Sequence, residues 1–414
     1  DVEPDIFGLP DGTWFDFNQI SSTDEYLYVT SNVRDQNEGT SAASFSDDPR
    51  VGAVIFRIAL DDLDDGNCSL DVRYWYRDGE TYISPVQNAG STMYLAEHVP
   101  GFLEGDNLRI YSIADSSTVL EHKDKDIQNY KDIAGSCPLP DGSDPCPDQH
   151  DGRMSGFRSG DRIGWLWMAD EGDGYPFPYV RVAVFETGTL AKVVEHQIWS
   201  DELAWQLPSV GVNARGDLGV VLYGMGGGRF PKVQGFIRTD PDDWSGIQMT
   251  AIAASDSGPS PGSFGHYGSV RQFGNCPDTF LASAYTVDAG VPTGRTIWFG
   301  GAGEGCVDLT VTSVAADASK VAAGDTIPLT ATVLNQGGAA APASFTGYYL
   351  SRDQELDDDD VPFGTTRAAN ALDPGQSQAQ AVEVIVPGVG FVTQQLYVLA
   401  CADDPGSIAE LSNT

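Results

Sequence analysis

The densest group of side chains able to do chemistry is Asp353-Gln354-Glu355-Leu356-Asp357-Asp358-Asp359-Asp360, with six acids in eight residues. So much like charge in one loop is costly unless a cation or water relieves it, and Ca2+ takes about six to eight oxygens from flexible carboxylates. Asp353, Glu355, Asp357, Asp359 and Asp360 are therefore the candidate ligands of a structural Ca2+. Their spacing is not that of an EF-hand, and a solvated acidic turn explains the same residues. His266-Tyr267, an imidazole that titrates near neutrality beside a phenol, is a weak candidate for acid–base work, and a structural loop is the preferred explanation of the same residues. The other four histidines, His98, His122, His150 and His196, are scattered without HExxH spacing, and there is no nucleophile elbow, Walker loop or dinucleotide fingerprint.

Smaller groups have plainer explanations. Asp61, Asp62, Asp64 and Asp65 read as a solvated hairpin, and Asp141, Asp144, Asp148, His150 and Asp151 as a restrained surface loop in preference to a weak metal site. Arg215-Gly216-Asp217 spells the adhesion tripeptide, but Gly and Asp between two apolar runs are what a hairpin turn requires, so the structural reading is preferred. Asn67-Cys68-Ser69 is a lone formal glycosylation match.

The balance of the 414 residues limits the partners. Sixty acids against 23 bases give a net charge of −37, which opposes binding to nucleic acid. Aspartate dominates the acids and favours turns over helix surfaces. A hydrophobic content of 41% with 10% aromatics is globular, not disordered. No run of about 18 uncharged apolar residues exists, so no transmembrane segment is expected. The chain opens at Asp1 without a basic leader, as expected if a signal peptide has been removed. Of six cysteines, Cys137 and Cys146 flank a proline-rich loop and look stapled. Cys68, Cys276, Cys306 and Cys401 cannot be paired from sequence. Oxidised cysteines imply a secreted or cell-surface location.

These residues must be carried by strands. Strand-like runs around Leu27, Tyr94, Trp165, Val220 and Leu281 recur every 55–71 residues, and a second set around Ile55, Ile110, Val182, Gln234 and Trp298 recurs every 52–72. Two marker sets with one loose period describe four-stranded blades that bury their faces only against their neighbours, which is a β-propeller. The expectation is an all-β chain with about five to six blades over residues 1–300. Leu207-Pro208-Ser209-Val210-Gly211-Val212-Asn213-Ala214-Arg215-Gly216-Asp217 resembles the strand-turn-strand of secreted bacterial sialidase-like propellers, and Phe15-Asp16-Phe17-Asn18 with Tyr26-Leu27-Tyr28-Val29-Thr30-Ser31-Asn32 resembles their blade opening. In those families the opening follows earlier blades, so the resemblance implies a missing N-terminal part or an unusual ring closure. The Asp boxes expected of a sialidase-like glycosidase are absent. His266 stands where related propellers carry an acid.

After a Gly-rich joint at 301–306 the alternation becomes strictly two-residue, as in Ile327, Leu329, Ala331 and Val333, which is the pattern of an immunoglobulin-like β-sandwich. Val333-Leu334-Asn335-Gln336-Gly337, Tyr349-Leu350-Ser351-Arg352-Asp353, Asp360-Val361-Pro362-Phe363-Gly364 and Asp403-Asp404-Pro405 to Glu410-Leu411-Ser412-Asn413 closely resemble the bacterial CARDB-type cell-adhesion-related module over 307–414. The resemblance stops where the module's last strand should begin. The resemblances imply an extracellular, non-enzymatic adhesion scaffold that binds surface or matrix proteins or glycans, or its own copies. Two alternatives are a propeller glycoside hydrolase or lyase with an accessory sandwich, and a filament subunit completed by a neighbour's strand.

Overall fold

A computed structural model describes the chain except for residues 1–7, 10–11, 36–49, 65–69, 100–103, 132–134, 147–151, 171–173, 260–267, 275, 302–304, 318–319, 358, 389–394, 405, 409 and 411–414. Contacts divide the chain into two units, Asp1–Gln272 with Phe280–Trp298, and Phe273–Thr279 with Phe299–Thr414.

The first unit is a β-propeller with five blades among the described residues. Blade one is β1 (Thr13–Ser22), β2 (Tyr26–Asp35), β3 (Arg50–Ala59) and β4 (Val72–Asp78), with the short helix α1 (Leu60–Asp64) after β3. Blade two is β5 (Ser84–Gln87), β6 (Thr92–Val99), β7 (Glu104–Ala114) and β8 (Glu121–Lys131). Blade three is β9 (Met154–Ser159), β10 (Arg162–Ala169), β11 (Tyr179–Glu186) and β12 (Lys192–Ile198). Blade four is β13 (Ala204–Val212), β14 (Leu218–Gly226), β15 (Arg229–Arg238) and β16 (Thr250–Ala254). Blade five has β17 (Ser269–Phe273), β18 (Cys276–Asp288) and β19 (Val291–Phe299). Each blade is built from consecutive antiparallel strands.

The two periodic marker sets fall on the second and third strands of all five blades. These strands are sandwiched between neighbouring blades, so they read as continuous apolar runs; β14 is buried along its whole length. The outermost strands face water, and β8 is accordingly mostly exposed. Where blades approach most closely a side chain has no room. A Cβ on Gly219 of β14 would lie 2.6 Å from the ring of Phe280 in the next blade.

The innermost strands close a ring. Ser21 donates to the Val86 carbonyl at 2.6 Å and Gln19 to the Ser84 hydroxyl at 2.9 Å, joining β1 to β5. Strands β5 and β9 pair in parallel through Val86 with Gly156 and Gln87 with Phe157, which fuses blades two and three into one eight-stranded sheet. The Val210 N–H donates to Ser155 at 2.9 Å, joining β13 to β9. Gly211 of β13 packs on the Val270 backbone of β17, and Arg271 of β17 donates to the Ile20 carbonyl of β1 at 3.3 Å.

The second unit contains an immunoglobulin-like sandwich. One sheet is β20 (Leu309–Ala316), β21 (Thr326–Asn335) and β25 (Ser377–Ile385). The other centres on β22 (Ser344–Ser351), flanked by β23 (Val361–Pro362) and β24 (Arg367–Ala369), with β26 (Tyr397–Ala402) also pairing with β22. The two-residue alternation puts Ile327, Leu329 and Ala331 of β21 against Tyr348, Leu350, Phe363 and Val384. The Asn335-Gln336-Gly337 motif has a structural reason. The buried Asn335 amide donates to the carbonyls of Ala339 and Leu372 and accepts from the N–H groups of Gly337 and Asp308, which pins the end of β21.

Cys137–Cys146 forms within the first unit as the proline-rich loop implied, and a second disulfide joins Cys276 to Cys306 within the second unit. Cys401 is a free thiol, and Cys68 lies outside the described residues, as does the Asn67-Cys68-Ser69 match. No helix among the described residues is long and apolar enough to cross a membrane.

Candidate functional site

The ring of inner strands encloses a cavity of about 490 Å3 on the propeller axis. All five blades contribute: Phe17 to Ile20 from β1, Pro85 and Gln87 from β5, Arg153 to Gly156 at β9, Leu207 to Ser209 from β13, and Gly268 to Arg271 at β17. Two of these strands are deformed where they meet the cavity. The register of β1 against β2 shifts between Asp16 and Gln19, and that of β13 against β14 between Gln206 and Ser209. Inside these bulges Phe17 and Leu207 each have a φ of 54°. A left-handed backbone is unfavourable for bulky side chains, and such strain persists mainly at sites where the fold re-aims a residue for a purpose.

The wall mixes apolar side chains with a distinctive polar set. Its charged members among the described residues are Arg153 and Arg271, with no carboxylate, although acids outnumber bases in the chain by more than two to one. Arg153 lies 4.8 Å over the Phe17 ring. Arg271 donates to the carbonyls of Val270 and Ile20, and burial lowers its pKa. Hydroxyls of Ser155, Ser209, Ser269 and Ser283 and the amides of Asn18 and Gln87 complete the polar lining.

A second cluster sits between blades one and two, away from the axis, and nothing in the sequence motifs announced it. The Tyr111 hydroxyl lies 2.5 Å from Glu80 and 2.7 Å from Glu97. Arg77 forms a two-pronged pair with Glu80, and Arg109 reaches Glu80 at 3.1 Å, Glu97 at 3.5 Å and Asp124 at 2.8 Å. Burial opposes the charge on Glu80, but the hydrogen bonds from Arg77 and Tyr111 and the charges of Arg77 and Arg109 outweigh it and hold its pKa below the ordinary value. Glu97 differs. Burial pushes it up to about 7, and the charge of Glu80 adds to the shift. Tyr111 is fully buried, so this is an internal network and not a substrate-facing set. The visible signal was an acid and a histidine inside the otherwise apolar run Met93-Tyr94-Leu95-Ala96-Glu97-His98-Val99.

The residues singled out from sequence are not gathered into one site. His266 and Tyr267 lie outside the described residues; Gly268, which follows them, is in the cavity wall. In the acidic hairpin, carboxylates cap backbone amides: Asp353 accepts from the Glu355 N–H, Asp357 from that of Asp359, and Asp360 from that of Asp357. Among the described residues, the ligand atoms of Asp353, Glu355, Asp357, Asp359 and Asp360 do not converge as a metal-sized group. Calcium there remains a proposal resting on charge density. It requires a higher melting temperature in millimolar calcium than in EDTA, with the difference lost in Asp357→Asn, and equal melting removes it. Among the described residues, the one group with ligand-like spacing is Cys137, Asp144 and Cys146, but both sulfurs are in the disulfide and Asp144 caps the Cys137 N–H. Asp148, His150 and Asp151 lie outside the described residues. Asp61 and Asp62 begin α1, where a hairpin was expected, and carboxylates suit a helix start. Arg215-Gly216-Asp217 is a turn: Gly216 has a φ of 87°, and Arg215 is paired with the buried Asp217 at 2.8 Å.

Solved structures similar to the chain include an alpha-L-arabinanase of Penicillium chrysogenum complexed with arabinobiose, at 12% identity and a TM-score of 0.39 over 77% of this chain and 88% of that one. An alpha-L-arabinofuranosidase of Fusarium graminearum has 10% identity and a TM-score of 0.40 over 78% and 93%. A neuraminidase-like protein of an influenza A virus from a flat-faced bat has 9% identity and a TM-score of 0.33 over 93% and 91%. At these identities the likeness is one of fold. No curated protein matches the sequence. The expected non-enzymatic adhesion scaffold is corrected here. Glycoside hydrolases are among the solved structures of similar fold, and the axis holds an open cavity whose wall mixes polar and apolar side chains. For the second unit, residues 306–414 match the CARDB family model, and the C-terminal sandwich is a CARDB domain.

Proposed function

We propose that the protein is a glycan-cleaving enzyme, a hydrolase or a lyase, working outside the cytoplasm, with the propeller as its catalytic body and the CARDB domain as an accessory module. The axial cavity carries this reading. Its volume of about 490 Å3 falls in the range of roughly 300–1,000 Å3 typical of small-molecule sites, and hydroxyls, amides and guanidinium groups are the donors and acceptors a sugar needs. The bulges at Phe17 and Leu207 are a cost that a structural plug would not require. Two disulfides suit an oxidising compartment.

Cleavage by paired carboxylates needs two acids flanking the bond. The described wall supplies none, so in this proposal proton transfer falls to His266 and Tyr267, which immediately precede the wall residue Gly268. Incubation of the full chain with a panel of neutral and acidic polysaccharides tests the reading. New reducing ends are expected, accompanied by the ultraviolet absorbance of an unsaturated sugar if the reaction is an elimination, and His266→Ala should abolish both. A panel that shows no new reducing ends ends the enzymatic reading. Turnover unchanged in His266→Ala removes the assignment of the histidine.

A further inference from the structure

We infer that Trp199 and Tyr175 form a distal subsite for a neutral polysaccharide, an aromatic shelf on blade three on which one sugar ring of a bound chain lies flat. The inference rests on the proposed glycan-cleaving function and names its substrate class as an uncharged polymer.

Strand register fixes where the shelf stands. Met168, in the cavity wall, pairs with Val180 of β11, and Val180 pairs with Ile198 of β12. Tyr179 precedes Val180 and Trp199 follows Ile198, so both lie one residue beyond Met168 at the same end of the blade. Neighbouring strands are about 4.8 Å apart, which puts the Trp199 backbone roughly 10 Å from the strand that carries Met168. A sugar chain with one end in the cavity can therefore reach the shelf.

A tryptophan exposed on its own needs no explanation. Trp199 is half exposed but built in. Tyr175 meets its ring edge to face at 5.6 Å and lies 4.2 Å, ring to ring, from Tyr179. Tyr175 is itself packed on the apolar core. In the loop Tyr175-Pro176-Phe177-Pro178-Tyr179 two prolines fix the backbone, the Pro178 carbonyl accepts from the Trp205 N–H at 2.9 Å, and Gly135 packs against the Pro178 ring. After Trp199 the Ser200 hydroxyl accepts from the N–H groups of Glu202 and Leu203, which holds the turn. An aromatic surface ordered in advance loses little freedom when a ligand arrives.

The shelf selects its ligand by chemistry. The C–H face of a sugar ring is apolar and fits an indole, while its hydroxyls stay in water or donate to the exposed Asp201 carboxylate beside Trp199. One indole with a tyrosine edge is far smaller than the roughly 800 Å2 per partner of a standard protein interface. A polyanion would be opposed by Asp201, by Glu202 and by the net charge of −37.

Native electrophoresis of the full chain in gels containing arabinan, xylan, galactan, mixed-linkage β-glucan or polygalacturonic acid tests the inference. At least one neutral polymer should retard the protein, more strongly than polygalacturonic acid does. Trp199→Ala should weaken that retardation about tenfold or more, and Trp199→Phe should keep part of it. Trp298→Ala, which removes a similarly exposed tryptophan from β19, should change nothing. Melting curves confirm folding. Should Trp199→Ala melt early, shielding of the parent's tryptophan fluorescence from iodide by the polymer, lost in Trp199→Phe, decides the same point. No retardation by any neutral polymer, retardation unchanged in Trp199→Ala, or a preference for polygalacturonic acid overturns the inference. Retardation that depends on Trp199 without new reducing ends sinks the enzymatic reading alone. New reducing ends with binding indifferent to Trp199 sink this inference alone.

Discussion

Glu97→Gln will raise the melting temperature above pH 7 and leave it unchanged below the ordinary glutamate range. The reason is a count of protons. Tyr111 lies within hydrogen-bond distance of both Glu80 and Glu97 but has one proton to give. Glu80, beside Arg77 and Arg109, keeps its charge and receives that proton. The second contact is then a hydrogen bond only if Glu97 is the acid and donates to the tyrosine oxygen. With a side chain 3% exposed, Glu97 is raised from 4.5 to about 7, chiefly by burial. Because the folded pKa lies above the unfolded one, the folded state binds the extra proton between these limits. Its stabilisation is complete below pH 4.5 and is lost as pH rises through 7. The shift corresponds to about 3 kcal/mol at most, which Gln, neutral and still able to donate, will recover at high pH.

The wild-type melting profile will not show this alone. The buried His98, bonded to Tyr130 at 2.6 Å, is lowered to about 3 by burial and by the charge of Arg181. A depressed histidine destabilises the fold as pH falls below its unfolded value, opposite in sign to Glu97. Glu410, raised to about 7 by burial, acts in the same direction as Glu97 but in the second unit. The difference between variant and parent isolates Glu97, since the other two groups are common to both. A Gln variant no more stable than its parent at pH 8 would show that ionising Glu97 costs the fold nothing and that its pKa is not raised.

Glu195→Ala is expected to be the most damaging single change outside the apolar core. Its carboxylate faces Arg181 at 2.5 Å, and the arginine side chain is only 1% exposed. Arg181 also donates to the Asn129 carbonyl and lies over the rings of Tyr130 and Trp167, while Glu195 accepts from the Gln128 N–H. The pair therefore joins the outer strands of blades two and three on the side away from the parallel β5–β9 contact. Removing the acid strands a buried guanidinium, which costs about 3–5 kcal/mol. Chemical denaturation will show a lower midpoint, and Glu195→Gln, which keeps one acceptor oxygen but no charge, will fall between. A loss under 1 kcal/mol would mean that water reaches Arg181 when the acid is gone.

The repeating architecture was legible because each blade's middle strands have only one way to be buried. Leu27, Tyr94, Trp165, Val220 and Leu281 fall on β2, β6, β10, β14 and β18, and the second marker set on the strands that follow them. The sandwich was legible for the same reason at a two-residue period. The inner strands left no such trace. β5 has four residues, Ser84 to Gln87, and the inner strands at the cavity interrupt their apolar residues with Pro, Ser, Gln or Arg, so they show no clean apolar ladder. The Cys276–Cys306 bond was equally hidden, since four unassigned cysteines carry no spacing rule.

The sequence by itself determined the all-β character, the blade period, the CARDB sandwich and the stapled Cys137–Cys146 loop. All of these depend on local period or short separation. Only the tertiary structure decided the site. Arg153 and Arg271 come from the third and fifth blades and share a cavity only because the inner strands close a ring. Glu80, Glu97 and Tyr111 share protons only because blade one packs on blade two. Their functions depend on burial and on a partner's charge, properties that a residue acquires from its neighbours in space.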